Sequence, residues 1–131
     1  MRTSEGIEES MEKVSNSGIF RVHTQSSNLV IGVFKADWCG DCKFIEPFWP
    51  EIEEKYGDRI TFIEVDTEQV PDLVDELNIL GIPSFVAFTD GRELVRYVNK
   101  ARKSREEIED FLNRALDVYR TLHDTAERKE E

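Results

Sequence analysis

The chain has few residues that staple or span. Its 131 residues include two cysteines, four prolines, seven glycines and two histidines. Two cysteines are too few for a disulfide scaffold. His23 and His123 lie near opposite ends, with no ligand-like spacing to the C-x-x-C pair, which supplies only two of the four ligands a zinc site needs, so no metal is expected. No stretch approaches the roughly 20 apolar residues needed to cross a bilayer. The opening MRTSEGIEESMEKV puts glutamates where an export signal carries its apolar segment. Positive charge is also scarce: 17 Lys and Arg against 28 Asp and Glu give a net charge of -11, which argues against nucleic acid or an anionic membrane as partner. A cytoplasmic chain forming one domain over residues 1–131 is the expectation.

Periodicity gives the elements. Residues 5–16 read as a short acidic helix with Ile7, Met11 and Val14 on one face, and IFRVH (19–23) alternates like a strand. NLVIGVFKA (28–36) suits a buried central strand, with Gly32 marking close packing. Residues 40–56 read as a helix interrupted by Pro47 and Pro50, and RITFIEVD (59–66) as a second strand. A short helix follows from Pro71, closed by Gly81. Thr89-Asp90-Gly91-Arg92 marks a hairpin turn, and Ser104 with Glu107 forms a capping box before a final amphipathic helix. Residues 123–131 are expected to be a frayed charged tail, and KARKSR (100–105) a solvated charged segment. The order βαβα, hairpin, helix predicts an α/β fold, a mixed sheet with helices on both faces.

The cysteines stand at the end of a strand and the start of a helix, in KADWCGDCKF (35–44). A thiol attacks a disulfide as thiolate, and free N–H groups at a helix start favour an anion at Cys39. Cys42, one turn on, is placed to close a reversible disulfide. A redox couple, half a metal site and a structural staple are all open to such a pair; intracellular redox conditions disfavour the staple.

Trp38-Cys39-Gly40-Asp41-Cys42-Lys43 resembles the Trp-Cys-Gly-Pro-Cys-Lys of the thioredoxin family, and Gly81-Ile82-Pro83-Ser84-Phe85 resembles its cis-proline segment. FIEVD (62–66) and Pro47 match as well, over about residues 28–118. The resemblance implies a thioredoxin fold and a thiol-disulfide oxidoreductase, a protein-disulfide reductase needing no cofactor beyond its own Cys39–Cys42 disulfide. It implies Cys39 as the exposed nucleophile, Cys42 as the buried resolving thiol, a cis Pro83 with the Ile82 backbone pairing with substrate, and Trp38 as a wall of the docking surface. Trp49 reads as structural. Disulfide-containing proteins or small molecules would be substrates, a thioredoxin reductase or small thiol the electron donor, and the chain a monomer. A redox sensor or binding module of the same fold is the alternative.

Two positions depart from the pattern. Val33 stands where the family carries a buried aspartate thought to deprotonate the resolving cysteine, which predicts longer-lived mixed disulfides. Asp41 replaces the proline between the cysteines; its charge would disfavour the Cys39 thiolate by about half a pKa unit to nearly two, while Lys43 and KARKSR could restore part of the loss.

Overall fold

A strand shows only that a segment is extended; its place in the sheet depends on what it pairs with. A computed structural model describes residues 11–130. Five strands, β1 (Glu12–Val14), β2 (Val30–Lys35), β3 (Thr61–Asp66), β4 (Ser84–Thr89) and β5 (Arg92–Tyr97), form one sheet in the order β1-β3-β2-β4-β5. β1 and β2 run parallel to β3, whereas β4 is antiparallel to both β2 and β5. β2, the most apolar strand, is therefore central, as a strand buried on both faces must be.

Alternation along the strands divides the core in two. Ile31, Val33, Phe85 and Ala87 face α3 (Trp49–Tyr56) and α5 (Arg105–Glu130). Val30, Phe34, Val86 and Phe88 face α1 (Ser17–Thr24) and α4 (Pro71–Leu77). Gly32 makes room on that second face, since a Cβ there would lie 3.2 Å from the Phe34 ring.

Several expectations are corrected. Residues 12–14 of the expected first helix are strand β1, paired with Ile63, Glu64 and Val65; residues 5–10 lie outside the described part. The expected strand at 19–23 is helix α1, capped by Asn16, whose side chain accepts from the Ile19 N–H at 3.0 Å. Its buried residues, Phe20 and Thr24, are four apart, while Ile19 and Val22 are exposed. α4 ends at Asn78, left-handed at φ 56°, and not at Gly81. Residues 123–130 continue α5 as helix instead of fraying.

Around the cysteines the chain follows its local chemistry. α2 (Gly40–Ile45) gives way at Glu46–Phe48, a 3-10 turn containing Pro47, and Pro50 sits in the first turn of α3, where its missing N–H costs nothing. The hairpin turns through Asp90 and Gly91, both at positive φ. Both capping-box hydrogen bonds form: the Ser104 N–H donates to Glu107 at 2.9 Å and the Glu107 N–H to Ser104 Oγ at 3.1 Å.

Candidate active site

β2 delivers the chain to Cys39, which caps α2. The Cys42 N–H donates to Cys39 Sγ at 3.0 Å, so the first turn of the helix points a donor at that sulfur. Cys39 Sγ also lies 3.7 Å from the Ile82 carbonyl, to which its thiol donates. The Ile82–Pro83 peptide is cis. Ile82 packs with Ala36, Cys39 and Cys42 in a small cluster of its own, so two segments far apart in sequence meet at the sulfurs.

Both cysteines are free thiols, and both are buried: Cys39 is 4% exposed and Cys42 1%. The expectation of an exposed Cys39 is thus corrected; it is recessed against Ile82. The two sulfurs nonetheless differ. Burial, then hydrogen bonding with Cys39, pushes the Cys42 thiol up to about 12, so it is held protonated at neutral pH. Among the described residues no group of three or more His, Cys, Asp or Glu could hold a metal ion.

Trp38 is 69% exposed beside this pair, its indole N–H donating to Glu68 at 2.8 Å. The Glu68 N–H donates in turn to Asp66 at the end of β3, which fixes the indole's edge to the sheet. Lys43 is exposed on α2, and Val33 is fully buried in β2, inside the apolar layer beneath α3 and α5.

Asp41 is paired. Arg102 Nε donates to its carboxylate at 2.9 Å, and the guanidinium sits 4.5 Å over the Phe44 ring. The Asp41 charge therefore reaches Cys39 already partly offset, which favours the compensation expected from KARKSR over an unopposed penalty. That segment is not uniformly solvated. Residues 100–104 are the loop before α5, which Arg105 opens, with Arg102 paired and Lys103 fully buried. Gly81 brings this loop against the cis-proline turn: a Cβ there would lie 2.1 Å from the Asn99 carbonyl oxygen. Ser84 Oγ donates to the Gly81 carbonyl and holds the turn from its other side.

Sequence reasoning missed Glu68 and the individual roles of Arg102 and Lys103. Glu68 and Trp38 are separated by two helices and a strand, and no periodicity links them. The only signal for Arg102 was opposite charge, since Asp41 needs a cation and KARKSR offers four.

The Thioredoxin family model matches residues 11–114. Similar curated proteins include a thioredoxin of Aspergillus fumigatus, 38% identical over 85 residues, which are 65% of this chain and 77% of that one. Another is the chloroplastic thioredoxin X of Arabidopsis thaliana, 29% identical over 111 residues, 85% of this chain but 59% of the relative's length. Among solved structures, the thioredoxin of Plasmodium falciparum aligns with a TM-score of 0.70 at 26% identity, covering 79% of this chain and 98% of that one. A C-x-x-C pair at the strand-to-helix junction, a cis-proline facing it and a family match over most of the length agree, and the chain belongs to the thioredoxin family of thiol-disulfide oxidoreductases.

Proposed function

We propose that the chain reduces protein disulfides, with Cys39 as the attacking sulfur and Cys42 as the resolving one. The asymmetry of the pair carries this reading: Cys39 Sγ receives the Cys42 N–H, while Cys42 is 1% exposed and held protonated. The Cys39 thiolate attacks one substrate sulfur, and the electron pair of the broken S–S bond leaves on the other as a thiolate. Cys42 then gives up its proton and attacks Cys39 Sγ; the substrate sulfur that Cys39 had attacked leaves as thiolate, and the enzyme is left as the Cys39–Cys42 disulfide. Two electrons pass from the dithiol to the substrate, and no dissociable cofactor is needed.

Trp38 and the Ile82–Pro83 turn flank the sulfurs and form the docking wall, with the Ile82 backbone beside an extended substrate segment. Asp41 and Lys43 set the local charge. The disulfide is returned to dithiol by a thioredoxin reductase or a small thiol, and the protein works as a single-domain monomer in the cytoplasm, where such pairs are catalytic and not structural.

The test is a trap. Cys42→Ser incubated with a disulfide-bonded protein should accumulate a mixed disulfide mapped to Cys39, whereas Cys39→Ser should form none, and neither variant should turn over. A mixed disulfide on Cys42 would reverse the roles. Capture of a protein by Cys39→Ser and Cys42→Ser alike, without a covalent link, would favour a binding module.

A further inference from the structure

Lys103 is the one charged side chain among the described residues to be fully buried, at 0% exposure. Its ammonium donates to the Ala101 carbonyl at 2.8 Å and the Asn99 carbonyl at 3.1 Å, and lies 5.4 Å from the Tyr97 ring centre on β5. Two carbonyls and a ring face orient the cation but do not neutralise it, and among the described residues no carboxylate forms an ion pair with it. Burial lowers its pKa, while Asp41, Cys42, Cys39 and Glu107, in that order, draw it back up.

Those four anionic or acidic neighbours are not equivalent. Asp41 on α2 is already bonded to Arg102, and Glu107 on α5 is occupied by the Ser104 cap. Lys35 on β2 also acts on Cys42, but it lies between Glu46 at 3.9 Å and Glu64 at 3.8 Å. Of the four, only the sulfurs gain their charge in the reaction, and Cys42 is held protonated at neutral pH, so the new charge falls on Cys39. An isolated buried ammonium is costly, and a thiolate beside it relieves that cost.

We propose that Lys103 is the built-in counter-cation of the Cys39 thiolate, a positioning residue that acts through its field while keeping its own proton. It favours the dithiol form in its thiolate state from the loop side, where Val33 on the sheet side offers no charge. The loop fixes it there, because Gly81 and Asn99 are in backbone contact and Asn99 holds the ammonium. This rests on Cys39 being the attacking sulfur.

The experiment measures alkylation of the reduced full chain by iodoacetamide against pH, with the modified cysteine identified by mass spectrometry, in the wild type and in Lys103→Met and Lys103→Gln. Methionine keeps the length and apolar stem of the side chain and loses the charge. In both variants the pH midpoint of Cys39 alkylation should move upward and the rate at pH 7 should fall several-fold, with the high-pH plateau unchanged. At pH above the wild-type alkylation midpoint, the equilibrium with dithiothreitol should also move toward the disulfide. Melting temperature gives an independent readout of the buried charge. With a folded-state pKa below the ordinary 10.5, Lys103 weakens the native state at neutral pH and ceases to do so as pH rises toward that value. Lys103→Met should therefore melt higher than the wild type at pH 7, with a gain that shrinks toward pH 10. An alkylation midpoint that stays in place, with or without a change in melting, would overturn the proposal and leave the roles of the cysteines intact. Alkylation at Cys42 in the wild type would overturn both.

Discussion

Gly81 does not close a helix, and its role is steric. A Cβ at this position would meet the Asn99 carbonyl oxygen at 2.1 Å and Lys100 Cα at 2.8 Å, backbone that a rotamer change cannot clear. Gly81→Ala is expected to cost about 1 to 3 kcal/mol of stability, the usual range for overpacking. Disulfide reduction should fall further than that loss accounts for, because the displaced loop carries Arg102 and Lys103 while the turn carries Ile82 and Pro83. Chemical denaturation alongside reductase rates would check both parts, and a destabilised variant with full activity would contradict the second. Single residues also show the limit of reading a sequence alone. Cys39, Cys42 and Pro83 were legible because their chemistry is local to short motifs. Lys103 was not, since a lysine flanked by Arg102 and Ser104 has the composition of a solvated loop, and only the fold brings the Tyr97 ring and the Asn99 carbonyl to its ammonium.

Between elements, the contact of α3 with α5 is centred on the Glu109 carboxylate. Glu109 accepts from Lys55 Nζ at 2.6 Å, from Tyr56 Oη at 3.1 Å and from Arg105 Nε at 2.8 Å, while Arg105 also reaches Glu51. The Lys55 bond, then the Arg105 bond, hold the Glu109 carboxyl down at about 2, against its ordinary 4.5. A depressed acid stabilises the fold fully above about pH 4.5, and the contribution disappears as pH falls through about 2. Glu109→Gln should therefore lower the unfolding free energy by about 1 to 2 kcal/mol at pH 7. Urea melts of wild type and variant should converge below about pH 2; a gap that persists there would mean shape, and not charge, is at stake. The same scale explains which elements were readable. β2 carries a continuous apolar run, and β3 and the β4–β5 hairpin carry their own alternation and turn residues, so they were found in place. β1 has three residues and exists only by pairing with β3, and the alternation of 19–23 belongs to exposed apolar side chains on α1. Pattern reports burial only where the apolar residues are the buried ones.

Across the whole molecule, a net charge of -11 surrounds a site supplied with Lys35, Lys43, Arg102 and Lys103. Longer-range steering follows the total charge, so a cationic disulfide such as cystamine should react more slowly as salt rises and an anionic one such as oxidised glutathione faster. Rates measured from about 0.02 to 0.5 M salt check this, and the opposite trends would mean that the local cations dominate the approach. The mixed sheet with helices on both faces followed from the order of elements, whereas the charge pattern around the sulfurs required the assembled loops. The two tryptophans divide the molecule optically. Trp49 is 7% exposed, packed edge-on to Phe62 and stacked on Phe85, with no acceptor for its N–H, so its emission reports whether the core is intact. Trp38 stands in water beside the sulfurs with its N–H on Glu68, so its emission reports what those sulfurs are bonded to. One chain thus carries a blue-shifted channel for folding and a red-shifted channel for redox state, separable by wavelength without an added dye.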